Sequence, residues 1–289
     1  MNRQKSFENE KPTLFLVPTP IGNLSEMTDR AIEVLGSVDV IACEDTRTSG
    51  QLLKHFNISK RLISYQNFNE ESSSHGIVNL LSQGNNVALI SDAGYPVISD
   101  PGQRVVIDAI AEGFNVVPVS GCSAVLNALV ASGLIAQPFL FVGFLPSSNH
   151  DRVKKLQEYR AYPMTMVFYE APHRIAKMMQ SCLDVLGDRR CCIAREMTKV
   201  HEEFLRGTIS ELIPVLDELK GEMVVVMDGN HDDYSKDIDM SHIMRMVQDS
   251  MEAGMTRSEA VKDVAVRTGI PRNRIYELVH RKEPWKGPC

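Results

Sequence analysis

Residues 86–102, NVALISDAGYPVISDPG, are the feature that most constrains the fold. Val87 to Ile90 form an unbroken apolar run, which is typical of a strand covered on both faces. The run leads into SDAG at residues 91–94, and a second glycine-bearing turn, SDPG, follows at residues 99–102. Small residues let backbone approach a ligand, and open α/β sheets build sites where their strands end. An ordinary strand-to-helix connection begins in the same way, but two such turns in succession favour a small-molecule site.

Strand and helix patterns alternate around this stretch. Apolar runs predict strands at residues 14–17, 38–42, 62–65, 87–90 and 115–119. Helical patterns separate them at residues 28–35, 75–82 and 103–112. This alternation predicts a mainly parallel sheet with helices on both faces. The second half predicts a mixed sheet with strands at 139–142, 164–169, 191–195 and 222–227, and helices at 124–132, 175–185 and 209–219. The fold class is therefore α/β, with two α/β domains.

The predicted organisation has five segments. Residues 1–11 are a polar leader, 12–119 and 120–229 are the two α/β domains, 230–239 are a linker, and 240–289 are a helix-turn-helix-like domain. The last segment contains predicted helices at 240–253, 256–268 and 272–281, with Thr256 and Glu259 spaced as a capping box. Its end is rich in basic residues, including Arg272 and Arg274. These charges suit nucleic-acid contact and a solvated helix face equally well.

Composition and motif searches exclude several classes. The formal charge of −6 over 289 residues argues against a surface coated for nucleic acid, although a local basic patch is compatible with it. The six cysteines show no C-x-x-C spacing and no apolar run reaches membrane length, so we expect reduced thiols, no zinc, no membrane span and a cytoplasmic location. The sequence lacks a G-x-G-x-x-G motif, a P-loop, H-E-x-x-H and G-x-S-x-G. The residues alone predict a cleft for a small ligand.

Six motifs go further, and together they resemble the tetrapyrrole (corrin/porphyrin) methylase superfamily. They are LVPTPIGNL at 16–24, EDTRT at 44–48, SDAGYPVISDPG at 91–102, GCSA at 121–124, YEAPHR at 169–174 and REMTK at 195–199. The resemblance covers residues 12–229 in order. It is strongest to the branch that methylates the ribose 2′-hydroxyl of a cytidine in bacterial 16S ribosomal RNA. Two positions depart from the family pattern: Tyr95 stands where a small residue or Thr is expected, and Cys122 where Pro or Ala is commoner.

The resemblance implies S-adenosylmethionine bound in the cleft between the two α/β domains, and no metal. The residues it assigns to cofactor binding are Ser91, Asp92, Ala93, Gly94, Val97, Ser120, Gly121, Cys122, Ser123, Ala124, Tyr169, Ala194 and Met223. Substrate contacts are assigned to Pro18, Thr19, Gly22, Asn23, Arg47, His173, Arg174, Arg272 and Arg274. The implied partners are 16S rRNA or the small ribosomal subunit, and a second copy of the chain.

Transfer to a ribose oxygen needs alignment and a nearby proton acceptor. The candidates for catalysis are Glu170, Glu44 and Lys199, and Glu170 is favoured because its strand end faces the expected cofactor site. Each of them suits a structural ion pair equally well. Two other functions fit parts of the chain: a methylase acting on a tetrapyrrole, and a non-enzymatic nucleic-acid-binding protein. The basic C-terminal segment disfavours the first, and the motif-rich body disfavours the second.

Overall fold

The computed structural model describes residues 3–66, 70–231, 240–268, 270 and 272–280. The chain divides into two compact units, Met1–Asn230 and His231–Cys289. The first unit contains two five-stranded sheets and the second contains helices. Within the described ranges, no helix has both the length and the apolar character that crossing a membrane requires.

The first sheet is entirely parallel, as the alternating pattern predicts. Its strands are β1 (Thr13–Val17), β2 (Val40–Cys43), β3 (Arg61–Ser64), β4 (Val87–Ile90) and β5 (Asn115–Pro118), in the order β3-β2-β4-β1-β5. The helices between them are α1 (Asp29–Ser37), α2 (Thr46–His55), α3 (Glu70–Ser82) and α4 (Gln103–Ala111). Parallel strands end at the same edge. The loops after β1, β2, β4 and β5 therefore meet there.

Burial explains why β4 lies at the centre of this sheet. All four of its residues are buried, with Ala88 and Ile90 in one apolar core and Val87 and Leu89 in the other. A strand that is apolar on both faces is stable only between two covered layers. β3, whose ends are exposed, occupies the edge. The position of β4 places the turns at residues 91–102 at the middle of the sheet's carboxyl edge.

The second sheet is mixed, as predicted. Its strands are β6 (Phe139–Phe144), β7 (Thr165–Glu170), β8 (Arg190–Arg195), β9 (Glu203–Thr208) and β10 (Met223–Met227), in the order β6-β7-β10-β8-β9. Only β6 and β7 are parallel to each other. The helices α5 (Ala124–Ala131), α6 (Asn149–Tyr159) and α7 (Ile175–Leu186) belong to this half. α5 packs on β10 through a shared core that includes Val125, Ala128 and Val224.

The helix predicted over residues 209–219 is wrong in its second part. α8 spans only Ile209–Leu212, and a 3₁₀ helix follows at Ile213–Glu218. The reciprocal cap between Thr208 and Glu211 fixes the start of α8. Pro214 stands at the beginning of the 3₁₀ helix, and because proline has no N–H it cannot continue the α-helical hydrogen bonding. The division of this half from the first at residue 119 stays a prediction.

The C-terminal unit contains α9 (Met240–Glu252), α10 (Arg257–Thr268) and α11 (Arg272–His280). Their small core includes Ile243, Val247, Val264 and Ile275. The predicted capping box is confirmed, since the Thr256 N–H donates to Glu259 Oε2 at 2.8 Å and the Glu259 N–H donates to Thr256 Oγ1 at 3.4 Å.

Gly102 is a point at which the backbone around the site depends on glycine. Its φ is +140°, and a Cβ there would lie 2.7 Å from Leu89 Cδ2 and 3.0 Å from Val97 Cγ2. We expect Gly102→Ala to lower the free energy of unfolding by about 2 kcal/mol. Gly36→Ala is the control: it lies in α1 with no atom within 4 Å of the added Cβ, and should gain about 0.5 kcal/mol. Urea denaturation measures both. Equal changes in the free energy of unfolding for the two variants would contradict this account of the turn.

Candidate functional site

A cavity of about 570 Å³ lies between the carboxyl edge of the first sheet and the second sheet. We call it the first cavity. Its walls come from the loop after β4, the start of α5, the end of β7 and the start of β10. The lining residues are Ile21, Ala93, Gly94, Tyr95, Ile98, Ser99, Asp100, Ser123, Ala124, Phe144, Tyr169, Glu170, Ala171, Pro172, Met197, Gly221, Glu222, Met223 and Val224. The volume is in the usual range for a site that holds a cofactor-sized molecule.

Backbone hydrogen bonds hold three loops of the first sheet together at this cavity. Thr19 and Gly94 exchange two backbone bonds, of 2.9 Å and 3.0 Å, and the Thr19 hydroxyl donates to the Ser91 carbonyl at 3.0 Å. The Gly121 N–H donates to the Tyr95 hydroxyl at 3.0 Å. The loops after β1, β4 and β5 therefore form one connected rim.

Glu170 ends β7 at the cavity wall, and its carboxylate is buried behind that wall with no accessible surface. Its Oε1 accepts from the Ala171 N–H at 2.9 Å and lies 3.2 Å from Nε of Arg174. Its Oε2 is buried and has no hydrogen-bond partner in the described part of the chain. These contacts tie the end of β7 to the start of the following helix.

Lys199 belongs to an ion-pair cluster at the edge of the same cavity. Its Nζ lies 3.0 Å from Glu196 Oε1 and 2.9 Å from Glu222 Oε2. These two ion pairs raise the pKa of Lys199 and keep it charged, and the pair with Glu222 has the larger effect. The aliphatic part of the Lys199 side chain packs closely on Gly22. A Cβ added at Gly22 would lie 2.6 Å from Lys199 Cγ. The side chain thus joins the β1 loop to the second half.

Asp100 is the least restrained acid of the wall. It makes no hydrogen bond within the described residues, and its half-buried position beside Glu44 and Asp92 raises its pKa to about 6. Burial is the first cause and repulsion from the two neighbouring carboxylates is the second. Burial, followed by Asp45, also raises the pKa of Asp92. Asp92 and Asp100 thus hold protons more tightly than ordinary carboxyls.

A second cavity, of about 400 Å³, adjoins the same loops. It is lined by Pro20, Gly22, Leu24, Thr48, Ser49, Gln51, Leu52, His55, Ser91 and Asp92. Ser91 and Asp92 line this second cavity, whereas Ala93 and Gly94 line the first. The two cavities therefore meet at the turn after β4.

The structure separates the residues predicted to bind the cofactor into three groups. Those in the wall of the first cavity are Ala93, Gly94, Ser123, Ala124, Tyr169 and Met223. Ser91 and Asp92 line the second cavity. The remaining residues, Val97, Ser120, Gly121, Cys122 and Ala194, line neither cavity, and Ala194 is fully buried in the core beneath α5. Their roles in binding stay predictions.

Several residues predicted to bind substrate are buried or have side chains held by contacts within the protein. Pro18 and Thr19 are buried, and the Asn23 side chain caps a short 3₁₀ helix at Leu24–Glu26. Arg174 pairs with Glu170 and donates to the Leu145 carbonyl at 2.7 Å.

The other predicted substrate residues lie nearer to solvent. Arg47 pairs with Asp45 at 3.2 Å on the surface, and His173 is exposed. Arg272 donates to Ser258 Oγ at 2.8 Å, and the side chain of Arg274 lies outside the described residues. Contact between any of these residues and RNA stays a prediction.

The motifs did not identify every wall residue. Asp100 lies in the SDPG turn, so its position in a glycine-bearing loop after β4 could have indicated that it lines the cavity. Phe144, whose ring centroid lies 5.5 Å from that of Tyr169, comes from β6, and no local pattern indicates that it faces a cavity. Among the described residues, no group of three or more His, Cys, Asp or Glu is placed to hold a metal ion.

The raised pKa of Asp100 predicts a pH-dependent stability. Its folded-state pKa of about 6 lies above the model-peptide value of 3.8, so the stabilising contribution is present at low pH and is lost as pH rises through about 6. We expect the stability of Asp100→Asn relative to wild type to increase by about 1 kcal/mol between about pH 4 and pH 7, allowing for solvent screening. Denaturant unfolding at each pH measures this. Ser99→Ala, which removes no titrating group, is the control, and a difference constant with pH would contradict the prediction.

Comparison with known sequences agrees with the architecture. The family model described as Tetrapyrrole (Corrin/Porphyrin) Methylases matches residues 13–213. A Bacillus subtilis (strain 168) protein named Ribosomal RNA small subunit methyltransferase I is 42% identical over 291 residues, covering 98% of this chain and 100% of its own. The protein of the same name from Halalkalibacterium halodurans is 40% identical over 289 residues, with 98% and 100% coverage.

Solved structures resemble this chain's fold at low sequence identity. A crystal structure of diphthine synthase aligns with a TM-score of 0.57 and 12% identity, covering 75% of this chain and 90% of that chain. An X-ray structure of a cobalt precorrin-4 methyltransferase aligns with a TM-score of 0.54 and 16% identity, with 75% and 94% coverage. At such identities the likeness bears on the fold alone.

Proposed function

The chain belongs to the tetrapyrrole (corrin/porphyrin) methylases, and from that premise we propose that it transfers a methyl group from S-adenosylmethionine to ribosomal RNA of the small subunit. The observation that carries the RNA assignment is the near full-length similarity to proteins named as small-subunit rRNA methyltransferases. It extends through the C-terminal helices, which the match to the family model does not reach. The finer proposal is the 2′-hydroxyl of a cytidine in 16S rRNA, supported by the six motifs.

The chemistry of the first cavity fits S-adenosylmethionine. That cofactor supplies a methyl group activated by a sulfonium sulfur, and it also carries an ammonium group. The wall offers the carboxylate of Asp100 and the aromatic rings of Tyr169 and Phe144. Carboxylates and ring faces both attract cations.

The chain's own residues then have three tasks: to align the acceptor oxygen with the methyl carbon, to exclude water and to receive a proton. In the transfer a carbon–oxygen bond forms as the carbon–sulfur bond breaks, and the hydroxyl proton leaves. We assign the proton to the carboxylates at the carboxyl edge of the first sheet, Asp92 and Asp100. Burial comes first in raising the pKa of each, followed by repulsion from Asp45 at Asp92 and from Glu44 and Asp92 at Asp100. Glu170 is fully buried and is restrained by Arg174 and Ala171, so we assign it to holding the end of β7 in place.

The C-terminal unit supplies exposed basic side chains suited to RNA. Arg257 and Lys262 on α10 are exposed, and Arg267 pairs with Asp263 at 3.3 Å while remaining half-exposed. Such cations bind phosphates and fix orientation without reading sequence. We assign them to anchoring the RNA in the cytoplasm, where ribosomal subunits are assembled.

A test of the activity uses labelled S-adenosylmethionine with small ribosomal subunits, naked 16S rRNA and a uroporphyrinoid as acceptors. We expect label in RNA, recovered as an alkali-resistant dinucleotide because a methylated 2′-oxygen cannot attack the adjacent phosphate. The preferred RNA acceptor identifies the assembly state that is recognised. Label confined to the porphyrinoid would refute the proposal and favour the tetrapyrrole methylase.

Equilibrium dialysis with the same labelled cofactor tests the site without turnover. Asp100→Asn keeps the shape of the side chain and removes its charge, so we expect affinity to fall about tenfold, which is about 1.4 kcal/mol. Glu158→Gln, on the exposed side of α6, serves as control. Unchanged affinity in Asp100→Asn would place the cofactor elsewhere.

We also propose a homodimer through the outward face of α5. One face of this helix is in the core, yet Leu126 is 50% exposed, Val130 is 75% exposed and the nearby Ile135 is 60% exposed. A contiguous apolar surface on a folded unit is typical of an interface, and homodimers use one patch twice.

Substitution of Val130 tests that face. We expect Val130→Lys to shift the mass measured by light scattering from dimer towards monomer, because two lysines would be buried across the two-fold axis. Ile107→Lys introduces the same charge at an exposed position of α4 and should leave the dimer intact. A monomeric wild-type protein, or a variant as dimeric as the control, would refute the assignment.

A further inference from the structure

The second cavity has the features of a pocket for one nucleoside. Thr48, Gln51, Leu52 and His55 have the spacing i, i+3, i+4 and i+7 on α2, so they form a single stripe along the helix that faces the cavity. Opposite them are residues of the loop after β1 and the turn after β4. About 400 Å³ is enough for a nucleoside and too little for a base pair in a duplex.

The α2 stripe presents polar side chains to the pocket. Thr48 and Gln51 are exposed, and their side chains have no hydrogen-bond partner within the described part of the chain. Ser91 differs, because its hydroxyl donates to the Gly94 carbonyl at 2.8 Å. Ser49 is 2% exposed, so its Oγ, beside the Cys43 thiol, lies behind the surface of the pocket. Accessible donors and acceptors in a concave pocket suit a polar ligand.

The remaining walls suit a flat ring. Pro20, Leu24 and Leu52 are apolar, and His55 adds an imidazole. A base taken out of its stack is read by hydrogen bonds to its Watson–Crick edge and by stacking on apolar or aromatic side chains. The Gln51 amide offers an acceptor beside a donor, and this pair complements the amino group and ring nitrogen of cytosine.

The position of the pocket relative to the first cavity links it to the reaction. The two cavities meet at residues 91–94, and Asp92 lines the second cavity while Asp100 lines the first. A ribose held at this boundary from the second cavity would lie next to the cofactor cavity and to Asp92, one of the carboxylates assigned to receive the proton.

We propose that the second cavity binds the unstacked target nucleoside of the RNA, with Gln51 on the α2 stripe contacting the base edge. This inference rests on the proposed function and deepens it, since it assigns the acceptor to a named pocket. The ligand class is a single pyrimidine nucleoside within an RNA strand. The first cavity retains the cofactor.

Gln51→Leu provides the test, because it keeps the size of the side chain and removes its hydrogen bonds. With the RNA acceptor that wild type prefers, we expect kcat/KM to fall about 10- to 100-fold, and the affinity for S-adenosylhomocysteine measured by calorimetry to change less than about twofold. We also expect the preference for cytidine over uridine at the target position to fall towards one. A purely structural defect would not change that preference. Lys54→Leu, on the exposed side of α2, is the matched control.

The outcomes separate this inference from the proposed function. If wild type methylates RNA and Gln51→Leu behaves like Lys54→Leu, the pocket assignment is wrong and the proposed function stands. If Gln51→Leu loses affinity for S-adenosylhomocysteine more than about tenfold, the second cavity holds part of the cofactor and the assignment is also wrong. If wild type labels no RNA, the proposed function and the inference fail together.

Discussion

The connection between Thr19 and Gly94 is the interaction on which the rest of the site depends. Two backbone hydrogen bonds join the loop after β1 to the turn after β4, and the Thr19 hydroxyl adds a third bond to the Ser91 carbonyl. Backbone bonds fix position more tightly than long side chains, because little conformational entropy remains to be lost. Both cavities use these two loops as walls. A shift of either loop would therefore change both cavities together.

The charge distribution around this rim differs from that of the C-terminal helices, and the two surfaces suit different tasks. Burial, followed by repulsion from nearby carboxylates, raises the pKa of Asp92 and of Asp100. Neither has a cation paired with it in the described residues, so both suit proton transfer and cation binding. They cannot attract phosphate. Net charge is −6 over the whole chain, and exposed cations occur on the C-terminal helices. Attraction of RNA and chemistry on RNA are thus assigned to separate surfaces, with phosphate contacts providing affinity and the pocket providing selectivity.

The sequence predicts well what depends on local pattern. The apolar run of β4, the alternation of strands and helices and the capping box of α10 all have local physical causes, and the structure confirms them. Where several groups meet from distant parts of the chain, prediction is weaker. Nothing in REMTK shows that Lys199 packs on Gly22, and nothing in α2 shows which stripe faces a cavity. The helix predicted over residues 209–219 failed for a local reason, the missing N–H of Pro214.

Tyr95 shows how a departure from the family pattern is accommodated. A large residue in the cavity wall would be costly if its hydroxyl were left without a partner, but the Tyr95 hydroxyl accepts from the Gly121 N–H. That backbone donor precedes α5 and is consequently engaged before any ligand arrives. Ser123 and Ala124 are the two residues of the GCSA motif that line the first cavity. The tyrosine thus narrows the first cavity and at the same time ties the β4 turn to the β5 loop, so the added bulk strengthens the rim.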